Sequence, residues 1–220
     1  MGPYGKLYRS WLDGQSMPGD PEDIFGNKTK AAASWCKPLE PYDFLSEGDN
    51  VAFNPLLTTG LQDPANPNLG GWGGRAKQNS SSPDLWVMVQ SEVGKNAPIQ
   101  NDFAARMQWT VTPKYRDGNH APTVKILNDS IVKGLPGATV TLTGAVYDPD
   151  NNNVKTSWWQ YLEEGTYPGT VSVASKGKTQ ASVKIPANAK HGQTISIILE
   201  GIDDGQFPLT RYDRVVIQVI

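Results

Sequence analysis

The chain has 220 residues, 38% of them hydrophobic, which supports at least one buried core and leaves one large or two small domains open. Its 20 basic and 22 acidic residues nearly cancel and no Lys/Arg run stands out, so the charge footprint of a nucleic-acid or anionic-membrane binder is missing. The single cysteine, Cys36, excludes an intrachain disulfide and a cysteine-cluster zinc site.

Met1-Gly-Pro-Tyr4 lacks the basic-then-apolar order of a signal peptide, and no run approaches the roughly 18 apolar residues of a spanning helix. The expectation is a mature chain, or a piece of a longer one, without membrane insertion. From Gly2 to His120 turn formers crowd the sequence, as in Gly19-Asp20-Pro21, Asp63-Pro64-Ala65-Asn66-Pro67 and Gly70-Gly71-Trp72-Gly73-Gly74. Short helices are predicted over Tyr4–Leu12, Asn50–Gly60 and Gln100–Trp109, the last with Phe103, Met107 and Ala104 on one face. Such a region struggles to close a core alone. Asn27, Asn79 and Asn128 begin glycosylation sequons, a pattern that a chain this rich in Asn, Ser and Thr produces by chance.

Beyond Asn119-His120-Ala121-Pro122 the texture becomes β-rich. Runs at Thr123–Leu127, Ala138–Tyr147, Val154–Leu162, Thr170–Ala174, Gln180–Ile185, Thr194–Gly201 and Arg211–Ile220 are separated by turns such as Asp148-Pro149-Asp150-Asn151 and Asp203-Asp204-Gly205. Seven strands in about 100 residues is the immunoglobulin-like number. The fold class expected is mainly β: a seven-stranded immunoglobulin-like β-sandwich over residues 120–220, preceded by a loop-rich region with short helices over 1–119. Val140, Leu142 and Val146 alternate with Thr139, Thr141 and Thr143, giving one core face and one wet face. Adjacent Trp158 and Trp159 face opposite sides, so at most one is the core tryptophan. Reversing the chain at every turn brings loops 148–153 and 203–210 to the same pole as His120, and that pole is expected to meet the Gly-Gly-Trp-Gly-Gly-Arg segment.

Glu47-Gly48-Asp49-Asn50-Val51, Gly70-Gly71-Trp72-Gly73-Gly74-Arg75, Asp102-Phe103-Ala104-Ala105-Arg106-Met107 and Asn119-His120-Ala121-Pro122 follow one another in a fixed order. The series resembles the C-terminal part of a secreted microbial family of cellulose-binding proteins with a nucleoside hydrolase-like domain. Asp148-Pro149-Asp150, Trp158-Trp159-Gln160-Tyr161 and Ile202-Asp203-Asp204-Gly205 extend the likeness into a β-sandwich. It implies that residues 1–119 are part of a nucleoside hydrolase-like α/β domain and that the chain is the distal piece of a secreted, extracellular protein. The remaining N-terminal hydrolase-like half would lie upstream or on another chain. The family's Asp-x-Asp-x-x-x-Asp-Asp calcium signature has no match here, and Asp148-Pro149-Asp150 is followed by Val154 and Lys155 where it would need aspartates.

Hydrolysis of a glycosidic bond needs two carboxyls held about 5–10 Å apart. Glu47 and Asp49 form one close pair and Asp203 and Asp204 another. Asp49 is the catalytic candidate, set against a plainer role as helix cap before Asn50; Asp203-Asp204-Gly205 reads more readily as a hairpin turn. Asp148, Asp150 and Asn152 place oxygens at the spacing with which a Ca2+ loop begins, and Asp203 comes to the same pole. They form a candidate Ca2+ site, although the usual glycine is Asn153, the closing Glu is absent, and turn chemistry accounts for the same residues. A Cys36 nucleophile would need an imidazole, and His120 and His191 read as a structural joint and a turn residue.

Sugar rings stack on Trp and Tyr while polar side chains reach their hydroxyls. Trp72 between glycine pairs, with Arg75 beside it, and the outward one of the tryptophan pair, Trp159, with Tyr161 nearby, are the candidate ligand-binding residues; the competing reading makes Trp72 an interface plug. The functional expectation is an extracellular carbohydrate-binding or accessory protein whose partner is a cellulose-type polysaccharide. The alternatives are the distal portion of a metal-dependent nucleoside hydrolase-like glycosidase and a structural surface or filament-assembly protein.

Overall fold

Alternation of apolar and polar residues becomes strand structure because successive side chains of extended backbone point to opposite faces. The protein's structure, a computed structural model, describes residues 9–10, 43–44, 57–62, 69–72, 74–78, 86–88 and 98–220. They fall into two compact units, Met1–Val51 and Ala52–Ile220. The boundary expected at residue 119 therefore falls inside the second unit.

In the first unit β1 (Arg9–Ser10) pairs in parallel with β2 (Asp43–Phe44), Arg9 opposite Asp43. β1 lies within the helix predicted over Tyr4–Leu12: pairing with a distant segment overrides a local helical pattern there. The helix predicted over Asn50–Gly60 lies mostly outside the described residues, and residues 57–60 are irregular.

The described part of the second unit begins with residues 57–62, 69–72 and 74–75, followed by an antiparallel pair, β3 (Ala76–Gln78) and β4 (Trp86–Met88). The helix predicted around residue 100 exists as α1, Pro98–Val111. Proline suits a first helical position, where its fixed φ is helical and no N–H is needed, and Pro113 disfavours helical backbone at Thr112. The buried face differs from the one predicted. Asn101, Asp102, Ala104 and Ala105 are buried, whereas Met107 is 49% exposed. Polar Asn101 and Asp102 turn inward because partners await them, Asn101 donating to the Pro208 carbonyl at 2.9 Å.

After a single 3-10 turn at Tyr115–Asp117 comes an immunoglobulin-like sandwich of β5 (Thr123–Ile126), β6 (Ile131–Gly134), β7 (Thr139–Tyr147), β8 (Val154–Gln160), β9 (Val173–Ser175), β10 (Gln180–Lys184), β11 (Thr194–Asp203) and β12 (Thr210–Val219). One sheet has the order β5-β7-β10-β9 and the other β6-β12-β11-β8. The second sheet is antiparallel except that β6 runs parallel to β12.

The strand expected at Thr123–Leu127 is β5, and an additional strand that the sequence reading lacked, β6, follows it in the other sheet. Asn128 marks the crossing: its side chain accepts from the Thr143 N–H at 2.8 Å and donates to the Thr141 carbonyl at 3.2 Å, replacing the ladder that β5 leaves. β6 is short and half polar, with Ile131 exposed, so its pattern is too weak to read as a strand.

Between the sheets lie Leu142, Val183, Ile195, Ile197, Leu199 and Val215, all fully buried, each contributing about 1.5–3 kcal/mol of hydrophobic stabilisation. β11 departs from alternation: every residue from Ile195 to Leu199 is buried. Its outer face is therefore covered, and residues 57–75 take part in covering it. The Tyr212 N–H donates to the Thr59 carbonyl at 2.8 Å. Leu61 and Leu69 join Tyr161, Ile198 and Tyr212 in a second small core on that face.

Candidate functional site

The outer face of the β8–β11–β12 sheet is organised in cross-strand rows. Ser157, Glu200 and Tyr212 form one row, and Trp159, Ile198 and Arg214 the next. Trp158, opposite Leu199, points into the sandwich core and is 6% exposed, so Trp159 is the outward member of the pair, as alternation requires. Its half-buried ring meets Tyr161 at 5.7 Å and the edge of Tyr212 at 6.4 Å between centroids.

Gly70, at φ +63°, lets the chain pass close to Leu61, whose carbonyl oxygen would stand 2.5 Å from an added β-carbon. Arg75 makes a forked contact with Glu163, Nε to Oε2 and an Nη to Oε1, both 2.9 Å. The same guanidinium lies 5.8 Å from the Trp159 ring centre and 5.7 Å from that of Tyr161. The Trp72 indole donates to Asp102 at 2.8 Å, and Asp102 also binds Arg106 and Arg211. Burial raises the pKa of the Asp102 carboxyl, but these donors outweigh it and hold the group below the usual aspartate value. Arg214 pairs with Glu164, which accepts from the Ser196 hydroxyl.

Glu200 differs from these paired acids. Burial raises its pKa, against weaker opposing hydrogen bonds from Ser157 and Trp159 and the charge of Lys155. A carboxyl, an indole and a hydroxyl therefore sit side by side. The Tyr212 phenol, nearly enclosed, is pushed far above its ordinary value by burial.

Of the four predicted sugar-contact residues, Arg75, Trp159 and Tyr161 meet here, while Trp72 is held by α1. Trp72, Arg75 and Trp159 are half-buried, while Tyr161 is fully buried and serves as packing beneath Arg75. The expectation that the Gly-Gly-Trp-Gly-Gly-Arg segment meets the loop pole is corrected: Trp72 is tied to α1 and Arg75 to the sheet's outer face. Asp49 lies outside the described residues, as do Glu47 and Cys36.

The pole itself forms as the strand directions predicted. Asn119 donates to Asp203 at 3.0 Å and accepts from Asn152 at 2.8 Å, joining the β7–β8 and β11–β12 loops. Asp148 Oδ1 accepts from the backbone N–H groups of Asp150 and Asn152, at 2.9 and 3.0 Å. Asp203 Oδ1 accepts from those of Gly205 and Leu209, at 3.0 and 3.1 Å. Asp150 is taken by His120, whose backbone N–H reaches Oδ2 at 2.6 Å and whose ring stacks 3.5 Å from Tyr115 and 5.6 Å from Trp109.

The four predicted metal-ligating residues thus converge, but mainly through loop hydrogen bonds. Among the described residues no group of three or more His, Cys, Asp or Glu is arranged to hold a metal ion. Sequence reasoning missed Glu200, Glu163, Asp102 and Asn119. Glu200 was marked as a carboxyl following Ile197-Ile198-Leu199, and Asp102 by Arg106 four residues on, whereas Glu163 and Asn119 bind partners 88 and 84 residues away that nothing local indicates.

Residues 139–219 match the family model described as the C-terminal domain of cellulose-binding protein Sde0182, and residues 1–76 match that of the nucleoside hydrolase-like domain of cellulose-binding Sde182. A solved nucleoside hydrolase-related protein from Saccharophagus degradans, described as associated with carbohydrate metabolism, is 32% identical with a TM-score of 0.64. The match covers 80% of this chain and 48% of that protein. The chain thus spans about half of that relative's length. Human CDH23 EC21-23 matches at 18% identity over 45% of this chain and 33% of its own, TM-score 0.33. A chimeric titin Z1Z2 matches at 20% over 47% of this chain and 99% of its own, TM-score 0.27. No curated protein matches.

Proposed function

Because this chain belongs to the family of cellulose-binding proteins with a nucleoside hydrolase-like domain, we propose that it binds a cellulose-type polysaccharide outside the cell and completes no hydrolytic site by itself. The observation that carries the reading is the Trp159 ring, half-buried on the sheet's outer face, with the Glu200 carboxyl and Ser157 hydroxyl beside it and Arg75 against it. An indole offers its face to the apolar side of a pyranose, and a flanking carboxyl and hydroxyl suit the sugar's own hydroxyls. Tyr161 and Glu163 hold Arg75 in position, and Trp72 anchors the segment that carries it.

Pull-down on insoluble cellulose tests this reading. The full chain is expected in the pellet, and Trp159→Ala is expected to bind about tenfold more weakly, the scale of a lost aromatic contact of roughly 1.4 kcal/mol. Trp72→Ala acts through the segment's placement and is expected to lose less. An unmutated protein that stays in solution removes the proposal.

A second reading is favoured by the nucleoside hydrolase-like match over residues 1–76 in a chain that spans 48% of its relative. In it the chain is the distal part of a metal-dependent glycosidase to which Asp49 contributes. Turnover of aryl glycosides or nucleosides with added Ca2+, abolished by Asp49→Asn, would establish it.

A further inference from the structure

Two carboxylates at the loop pole, Asp148 and Asp203, are used on one oxygen only. Asp148 and Asp203 are 5% and 3% exposed, and their Oδ1 atoms are saturated by backbone N–H groups and the Asn119 amide. Their Oδ2 atoms are buried and find no hydrogen-bond donor among the described residues. Among the described residues neither carboxylate has a Lys or Arg ion pair, and the nearby imidazole of His120 is engaged by Asp150. A buried carboxylate oxygen without a donor costs several kcal/mol in order of magnitude, and these two belong to carboxylates joined in one network through Asn152 and Asn119, so a positive partner between the loops would relieve both.

We infer that the Oδ2 atoms of Asp148 and Asp203 form the anionic end of a site for a hard divalent cation of the Ca2+ class, between the β7–β8 and β11–β12 loops. The two groups interact: burial raises the Asp203 pKa, and the Asp148 charge adds to the rise. Ca2+ takes oxygen ligands in flexible geometry, and two carboxylates supplemented by carbonyls and water form a weak site, on the order of 10⁻⁴–10⁻³ M. Asn119 holds both loops in register, so the cation would fasten the end of the segment carrying α1 to the sandwich. The rival solution to the same geometry is a single proton shared by the two oxygens.

Thermal unfolding of the EDTA-treated full chain at pH 7, with and without 10 mM CaCl2, separates the two. The cation site predicts a rise in Tm of roughly 3–5 °C for the unmutated protein and no response in Asp148→Asn or Asp203→Asn. Asp204→Asn, which touches only Asn153, keeps the response. No response in the unmutated protein overturns the site, and an Asp203→Asn Tm at or above that of the parent then favours the proton, because the neutral amide removes the repulsion between the two carboxylates. If the variants do not fold, amide NMR of the unmutated chain decides. Ca2+-dependent shifts confined to residues 119–120, 148–153 and 203–209 support the site, and their absence or appearance elsewhere overturns it.

Discussion

At Gly60 the backbone has φ +100°, and a β-carbon would stand 1.8 Å from the Tyr212 carbonyl oxygen, which is backbone and cannot swing aside. Gly60→Ala combines left-handed strain with this collision and is expected to cost about 2–4 kcal/mol by urea unfolding. Gly137→Ala, also at positive φ (+82°) but with nothing nearby, is expected to cost only about 1 kcal/mol. Titration discriminates equally sharply. Because burial raises the Glu200 pKa, the folded protein holds a proton that the unfolded chain releases, so stability rises as pH falls through the folded value. The gain ends near the unfolded value of 4.5. Glu200→Gln is therefore expected to match or exceed the parent's Tm at pH 7, and the difference is expected to shrink by pH 5. Asp102 behaves oppositely: its contribution persists down to its ordinary value of 3.8 and is lost as pH falls further through the lowered folded value. Asparagine at position 102 should accordingly remove stability at neutral pH and flatten the loss in strong acid.

Among the elements, α1 and β11 show where periodicity succeeds and fails. The helix was legible in the sequence, but its buried face was not, because Asn101 and Asp102 turn inward towards partners more than a hundred residues away. Asp102→Ala leaves Trp72 and Arg211 without their shared acceptor and is expected to destabilise by about 3–5 kcal/mol, the scale for breaking a buried charged cluster. Hydrogen exchange should then quicken along Pro98–Val111 more than in β7 or β10. β11 reads in sequence as a long apolar run, and alternation alone cannot say whether its second face meets water or another segment. Burial of Ser196 and Ile198 answers that question. Counting chain reversals brought loops 148–153 and 203–210 to one pole, where Asn119 joins Asn152 to Asp203, whereas the individual hydrogen-bond partners followed from no pattern.

For the whole molecule, the sandwich and residues 57–120 form one unit, and cutting the chain at the apparent change of texture should reveal it. A fragment starting at His120 exposes Tyr161, Ile198 and Tyr212, three large side chains at about 1.5–3 kcal/mol each, and is expected to unfold well below the full chain and to bind a hydrophobic dye. An unchanged Tm would show that residues 57–120 only rest on the sheet. The amino-acid sequence by itself determined the sandwich, the opposite facing of Trp158 and Trp159 and the meeting of the two loops, because strand alternation and chain reversal are local rules that accumulate along the chain. Only the tertiary structure decided that a further short strand, β6, follows β5 in the opposite sheet, that Trp158 is the inward tryptophan, that Trp72 is tied to α1 and Arg75 to the sheet, and that Glu200 stands beside Trp159. Those outcomes depend on which distant groups satisfy one another's charge and hydrogen bonds, and no local periodicity encodes such pairings.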